Sequence, residues 1–595
     1  MHKRHSLIVA AVAAASATAV GAAERTAPLV VTATRTPLTA DDALAAVSVI
    51  TRDDIDRRQP ADVPELLRGL PGVSIARNGG RGKAASLYLR GTESDHTLVL
   101  VDGVRIGSAT LGSAPLEQLS VSEIQRIEVV RGPRASLYGA DAIGGVIQIF
   151  TRRDRSHARL AVGNRDTWEL GAGLARDGER GGFAVSASGQ STDGFDATDE
   201  RSFAHDPDRD GYDNRSASVS GHYQVTDTLT LRGRALRVDG ENEFDSTSTA
   251  ADETQQVVSG EADWQPTQSW RSSLSVGSTL DDVDSRDFDG DRFVTRRDTA
   301  TWQNDFFIGD DHITTVGVDY HEDRVSGTID YVETHRDNLA VFVQHQWYAG
   351  AFDVQGALRH DDNEAFGGET TGNIAVGYRI SPALRTYASY GTAFKAPTFN
   401  DLYYPDTGFF KGNPDLEPEH SRTTEVGLES SGAWRWRVAA FHTDADDLIT
   451  FDANAASSVN VNEARIRGIE GEVSGNIAGF GTRLAATWLD AEDGDTGNDL
   501  PRRPDLTATL GIDRAFGRAR VGTEIHYGGE RFDELANTTE LDSFTVVDVT
   551  ASYALSDAWT LRGKVANLLD EDYQTADTFE MPGRTVLVSI EWRGE

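Results

Sequence analysis

The sequence predicts an all-β transmembrane barrel of about 22 antiparallel strands, with an N-terminal α+β plug domain inside its lumen. Three observations lead to this fold class. The chain begins with an export signal, residues 38–153 have the pattern of a compact α+β domain, and residues 155–595 form a long series of alternating segments. Each of these parts predicts its own elements.

Residues 1–23 are expected to be a signal peptide. The basic residues 2–4 precede an apolar stretch at 7–20, and small residues at 22–23 suit cleavage. The alternative is a short membrane anchor. We therefore expect the mature chain to leave the cytoplasm.

The plug domain, residues 38–153, combines short helices with buried strands. Thr51 and Asp54 have the spacing of a capping box at the start of one helix. A second helix is expected from Asp62, its N-cap, to Leu70. The predicted strands are Val47–Ile50, Leu98–Val101, Ile127–Val130 and Val146–Phe150.

The region 155–595 alternates apolar and polar residues, as a half-buried strand does. Between 547 and 555 the odd positions are apolar, and Asp548, Thr550 and Ser552 lie between them. A soluble sandwich or propeller would turn such apolar faces inward, whereas a membrane barrel turns them to lipid. The export signal and segments of about 10 residues favour the barrel. If each strand with its connection takes about 20 residues, this region holds about 22 strands. A barrel of that size needs a plug if it is not to leak.

Composition and motifs exclude several function classes. The formal net charge of −37 is opposite to what a nucleic-acid-binding surface requires. The chain has no cysteine, so disulfides and cysteine-ligated metals are absent. No Gly-x-Ser-x-Gly, nucleotide-binding or His-Glu-x-x-His motif occurs, so we expect no enzyme.

Several short motifs follow one another along both domains. They are Leu70-Pro-Gly-Val73, Leu89-Arg-Gly91, Leu100-Val-Asp-Gly-Val104, Ile127-Glu-Val-Val-Arg-Gly-Pro133, Asn413-Pro-Asp-Leu-Glu-Pro-Glu419 and Asn567-Leu-Leu-Asp-Glu-Asp-Tyr573. In these motifs the chain resembles the TonB-dependent receptors. The resemblance implies a monomer in the outer membrane of a Gram-negative bacterium, embedded in lipid, with TonB as its periplasmic partner. We further expect the plug residues Arg90, Arg131 and Arg134 to bond to the barrel wall.

Residues 28–35 resemble the TonB box of that family. An extended, β-branched segment can add as a strand to the edge of a partner's sheet, where main-chain hydrogen bonds supply affinity. The residues expected to bind TonB are Pro28, Leu29, Val30, Val31, Thr32, Ala33, Thr34 and Arg35.

Within the family, Asp54-Ile-Asp-Arg57, Asp141-Ala-Ile-Gly-Gly145 and Arg562-Gly-Lys-Val-Ala-Asn567 are similar to the cobalamin receptors. This similarity implies uptake of cobalamin (vitamin B12) or a related corrinoid, with calcium ordering the extracellular loops. Calcium takes six to eight oxygen ligands, which two acidic loops can supply. The implied ligands are Asp196, Asp206, Asp208, Asp210, Asp245, Asp252 and the carbonyl of Phe244.

The same similarity implies a set of substrate contacts on the plug apex and the barrel mouth. These residues are Ala85, Glu93, Thr110, Leu111, Ser246, Arg503 and Phe532. Two alternatives remain open at this point. One is a receptor of the same family for a siderophore or another metal chelate, and the other is a passive porin or adhesin, which would need neither a plug nor a TonB box.

Overall fold

The computed structural model describes residues 30–31, 35, 38–39, 43–245, 249–286, 291–452 and 455–594. It contains a closed barrel of 22 antiparallel strands around an N-terminal domain, which confirms the predicted fold class. The predicted signal peptide and the predicted substrate residue Ser246 lie outside the described residues. No helix in the described ranges is long and apolar enough to cross a membrane.

The N-terminal domain, here called the plug, is a small mixed sheet with short helices on it. Its elements are β1 Val30–Val31, β2 Leu38–Thr39, β3 Val47–Thr51, α1 Arg52–Arg58, α2 Val63–Arg68, β4 Val73–Arg77, β5 Ala85–Leu89, β6 Thr97–Val101, β7 Val104–Arg105, β8 Ile124–Arg131, α3 Ala135–Tyr138 and β9 Gly145–Thr151. Strands β3, β8, β9, β6 and β7 form the sheet in that order, and within it only β6 and β9 are parallel. Short 3-10 turns lie at Ser94–His96, Leu116–Gln118 and Val121–Glu123.

Local sequence explains where the plug helices begin. The Thr51 side chain caps α1, and the Asp54 carboxylate accepts the Thr51 N–H at 2.9 Å, which completes the predicted capping box. Asp62 caps α2 by accepting the Glu65 N–H at 2.8 Å. The second helix ends at Arg68, two residues earlier than predicted, and its C-cap is Gly69.

The barrel is a meander in which each strand pairs with its neighbour and the last strand closes on the first. Its strands, with the short loop strands β29, β30, β33 and β34 and helix α4, are β10 His157–Gly163, β11 Trp168–Asp177, β12 Gly181–Thr192, β13 Tyr212–Thr226, β14 Leu229–Glu243, β15 Ala250–Thr267, β16 Trp270–Arg286, β17 Arg292–Ile308, β18 His312–Gly327, β19 His335–Ala349, β20 Phe352–Asn363, β21 Gly367–Ser381, β22 Leu384–Lys395, α4 Phe399–Tyr403, β23 Glu419–Ser431, β24 Arg435–Asp452, β25 Ser457–Ile477, β26 Phe480–Asp493, β27 Leu506–Phe516, β28 Ala519–Gly528, β29 Arg531–Phe532, β30 Glu540–Leu541, β31 Phe544–Ala554, β32 Trp559–Ala566, β33 Gln574–Ala576, β34 Phe579–Glu580 and β35 Thr585–Arg593.

The two faces of each barrel strand differ in polarity. In β19, Leu339 and Val341 are 52% and 53% exposed on the outside, whereas Ala340 and Gln344 are buried on the inside. The outer face is therefore apolar and suited to lipid, and the lumen wall carries many buried polar groups. Buried polar groups of such a wall need hydrogen-bond or ion-pair partners, which the plug can supply.

The two rims of the barrel are unlike. Connections such as 227–228 and 268–269 are two-residue turns, and they lie at one rim, here called the turn rim. The long connections, including 193–211 and 396–418, lie at the opposite loop rim. The acidic residues singled out in the sequence are at the loop rim, where the plug apex also lies.

Candidate functional site

Carboxylates from two neighbouring loops converge at the loop rim. Oxygens of Asp208, Asp210 and Asp245 lie within 4.8 Å of one another, and a second such group joins Asp196, His205 and Asp245. Asp245 belongs to both groups and therefore connects loop 193–211 to the loop segment that follows β14. These five residues are called the carboxylate cluster below.

The carboxylate cluster holds negative charge that its surroundings only partly balance. Burial raises the pKa of Asp210 to about 6, and the carboxylates of Asp245 and Asp208 add to this rise. Burial and the nearby Asp206 and Asp245 also raise the pKa of Asp208. The Ala197 N–H donates to Asp210 Oδ2 at 2.8 Å, which fixes the orientation of that carboxylate. Calcium takes oxygen ligands, so the four aspartates of the cluster are of the kind that ion binds, whereas the nitrogen of His205 is not.

The other predicted cation ligands take different positions. The backbone N–H of Asp206 donates to Asp245 Oδ2 at 3.2 Å, so Asp206 orders the cluster through its main chain. Asp252 lies on β15 and accepts from Arg286 Nε at 2.8 Å, and the structure does not bring it into either group. Phe244 precedes Asp245 and donates its N–H to the Thr249 carbonyl at 3.0 Å.

Sequence reasoning missed His205. It directly precedes the acidic run that begins at Asp206, but a single histidine in a loop is a weak signal. Only the fold brings its Nδ1 to 3.6 Å from Asp196 Oδ1 and 3.2 Å from the Thr198 hydroxyl.

Two of the predicted substrate residues meet at the plug apex. Arg503 Nη2 lies 2.6 Å from Glu93 Oε1, and its Nε donates to the Gly91 carbonyl at 3.0 Å. The guanidinium also stacks over the ring of Tyr88, 4.2 Å from its centroid. Because Glu93 is half-exposed while Arg503 is buried, the carboxylate is the part of this pair that a ligand can reach.

The remaining predicted substrate residues differ in access. Leu111 is 62% exposed, but its neighbour Thr110 is 1% exposed, so Leu111 offers the side chain of that loop to solvent. Ala85 begins β5 and is half-buried. Phe532 is half-buried in β29, which pairs with β30 across a loop.

The 3-10 turn Ser94–His96 anchors the plug apex to the barrel. Asp95 Oδ2 lies 2.9 Å from Lys395 Nζ, and His96 Nε2 lies 2.6 Å from Glu419 Oε2. Burial alone would lower the pKa of His96, but the Glu419 carboxylate outweighs burial and raises it. His96 therefore stays protonated at higher pH than an ordinary histidine.

This pair makes apex anchoring depend on pH. A group whose pKa is higher in the folded than in the unfolded state stabilises the folded state. For histidine this contribution is complete below the unfolded pKa of about 6.5, and it is lost as the pH rises through the folded-state pKa. We expect amide exchange in residues 93–97, corrected for intrinsic exchange, to accelerate as the pH rises above about 6.5. His96→Gln should remove most of this dependence, and an unchanged dependence in that variant would refute the assignment.

Buried ion pairs hold the middle of the plug to the barrel wall. Arg90 lies 2.7 Å from Glu425 and 2.8 Å from Glu470, and Arg131 also lies 2.8 Å from Glu470. These side chains are 2–3% exposed. The prediction of barrel bonds is thus met for Arg90 and Arg131. For Arg134 it is wrong, because its guanidinium donates to the plug carbonyls of Pro133 and Arg131, at 3.3 and 3.4 Å.

The end of the predicted TonB-binding segment is fixed to the barrel. Arg35 donates through Nη2 and Nη1 to the Asp319 carboxylate at 2.7 and 3.2 Å, and its guanidinium lies over the rings of Tyr138 and Phe342. Val30 and Val31 form a short antiparallel pair with residues 38–39. Residues 28, 29 and 32–34 of the predicted segment lie outside the described residues.

Comparison with known proteins gives matches over both domains. Residues 39–146 match the model of the TonB-dependent Receptor Plug Domain, and residues 151–568 match that of the TonB dependent receptor-like beta-barrel. The vitamin B12 transporter BtuB of Photobacterium profundum is 34% identical over 592 residues, 95% of each chain. The protein of the same name from Vibrio vulnificus is 33% identical, covering 92% of this chain and 91% of its own.

Solved structures share the architecture at lower identity. The siderophore receptor PirA from Acinetobacter baumannii superposes with a TM-score of 0.78 at 18% identity, covering 92% of this chain and 98% of its own. A ferric enterobactin receptor (PfeA) mutant from Pseudomonas aeruginosa, in complex with enterobactin, gives 0.80 at 19%, with 92% and 99% covered. At these identities the likeness concerns the fold alone.

Proposed function

The chain belongs to the TonB-dependent receptor family, and we propose that within this family it imports cobalamin or a related corrinoid. TonB-dependent transport across the outer membrane follows from the family. The observation that carries the choice of ligand is the 33–34% identity to two vitamin B12 transporters over more than nine-tenths of the chain. The turn rim then faces the periplasm, and the loop rim faces outward.

We propose calcium as the ion of the carboxylate cluster. Asp208, Asp210 and Asp245 would supply oxygen ligands, and Asp196 stands beside them. A calcium ion there neutralises the carboxylates and joins the two loops. By linkage, an ion that prefers the ordered loops stabilises that state and any ligand that needs it. The protein's own part is to place the loops beside the plug apex, where Glu93 and Leu111 are accessible.

TonB is the proposed partner of residues 28–35. An extended segment with Val30 and Val31 can pair with the edge of a partner's sheet, in place of its present pairing with residues 38–39. The bond from Arg35 to Asp319 holds one end of the segment against the barrel wall. Release of that end would make the segment available to TonB.

Binding and uptake measurements test this proposal together. Purified receptor should bind cyanocobalamin about tenfold more tightly with calcium than with a chelator, a usual size for coupled sites. In cells, Val31→Pro should abolish uptake of labelled cyanocobalamin and leave binding intact, because proline removes a main-chain donor that strand addition needs.

Other outcomes separate the alternatives. A passive pore would be indifferent to Val31→Pro. If the receptor fails to bind cyanocobalamin in either condition but binds a ferric siderophore, the ligand proposal is refuted and the family assignment stands.

A further inference from the structure

A single plug lysine connects both acidic loop segments to the plug. Lys83 lies in the apex loop between β4 and β5 and is 2% exposed. Its Nζ donates to the Gly211 carbonyl at 2.9 Å and to Asn242 Oδ1 at 2.8 Å. Gly211 directly follows Asp210, and Asn242 precedes Asp245 by three residues. The Lys83 ammonium is therefore hydrogen-bonded to both of the segments that carry the carboxylate cluster.

The apex loop also packs closely against residues 193–212, the segment that carries most of the carboxylate cluster. A Cβ at Gly80 would lie 2.9 Å from the Phe195 ring, and one at Gly82 would lie 2.1 Å from the Tyr212 ring. Gly82 has φ +75, which glycine adopts without strain. Because packed surfaces do not deform continuously, a shift of residues 193–212 must displace the apex loop or break this contact.

The Lys83 bonds are suited to transmit order rather than to hold the ion. An ammonium that donates to a buried carbonyl and amide forms strong, charge-assisted hydrogen bonds. The Gly211 N–H in turn donates to Glu243 Oε2 at 2.9 Å, so Gly211 is held from both sides. The positive charge of Lys83, which lies beside the cluster, also opposes the binding of a metal cation there. The charge of Lys83 is therefore unfavourable for cation binding, whereas its two hydrogen bonds join the plug to both loop segments.

We propose that Lys83 is a positioning residue. When a cation orders the loops that carry the carboxylate cluster, Lys83 transmits that order to the plug apex. This inference rests on the proposed cation function of the carboxylate cluster. A divalent cation fixes residues 206–213 and 245. The two Lys83 bonds then fix residues 78–84, which lead directly into β5 and its first residue, Ala85. Without the ammonium, the loops still bind the cation, but the plug does not respond.

Hydrogen exchange with calcium alone tests this. In wild-type receptor, calcium should slow amide exchange in both 193–213 and 78–84. In Lys83→Met, it should slow exchange in 193–213 only, while calcium binds at least as tightly by calorimetry. Lys83→Arg keeps a cationic donor and should restore the response of 78–84. Lys564→Met is the matched control, because Lys564 joins the plug to the barrel through Glu65, outside the carboxylate cluster. Its response to calcium should equal that of the wild type.

The outcomes are distinct. A calcium response of 78–84 that persists in Lys83→Met overturns this inference and leaves the cation site standing. Loss of calcium binding in Lys83→Met also overturns it, because Lys83 would then build the site. If wild-type receptor shows no calcium effect on 193–213, the proposed cation function and this inference both fail.

Discussion

Replacing Glu470 by alanine is expected to loosen the plug more than any other single carboxylate change. Glu470 pairs with Arg90 and Arg131 at 2.8 Å each, and all three side chains are 2% exposed. Removing the carboxylate leaves Arg131 without its acidic partner and Arg90 with Glu425 alone. Breaking a buried ion pair from one side costs about 3–5 kcal/mol, because an uncompensated charge stays buried.

This loss should appear as leakage and as faster exchange. Single-channel recordings should show openings that the wild type lacks, and amide exchange should accelerate in β8 and around Arg90. The matched control is Glu472→Ala, two residues along the same strand, where the carboxylate pairs with Arg483 of the barrel itself. If the two variants leak equally, the Arg90–Glu470–Arg131 network does not hold the plug.

Replacing Asp319 by asparagine should expose residues 28–35, the proposed TonB-binding segment, without any ligand. Arg35 would lose the charge of its partner and one of its two acceptors, because an asparagine amide has a single acceptor oxygen. Arg359, which shares Asp319, keeps Asp361 at 2.8 Å. A charge-assisted hydrogen bond is worth about 1.5–3 kcal/mol, so the released fraction should rise by about 10- to 100-fold. Binding of TonB to unliganded receptor should strengthen correspondingly.

Cysteine labelling can measure this release, because the chain contains no cysteine. A single Thr32→Cys reporter should react with a water-soluble maleimide faster in Asp319→Asn than in the parent. Asp263→Asn is the control, since Asp263 is held by Arg271 at 2.8 Å, far along the chain from residue 35. Arg35→Ala should reproduce the effect and add nothing to Asp319→Asn; additive rates would indicate that the two residues act separately.

Much of the architecture could be predicted from local patterns. Strand periodicity depends on adjacent residues, so the apolar outer face and the barrel class follow directly from the sequence. The capping residues Thr51 and Asp62 likewise act within one helical turn, which is why α1 and α2 were predicted close to their observed positions. The acidic run from Asp206 to Asp210 was visible because its members are neighbours in sequence.

The pairing of distant groups could not be predicted in this way. Arg90 and Glu470 are 380 residues apart, and they meet only because each strand has one register around a closed barrel. A shift of one residue in any strand would turn such a side chain from the lumen to the lipid. Strand register and the seating of the plug likewise decide that His205 joins the carboxylates, that Lys83 reaches Gly211 and that Asp252 turns to Arg286. Sequence alone therefore determined the barrel, the plug and the acidic loops. The tertiary structure decided which charged side chains form ion pairs, because closure of the barrel sets the distances between them.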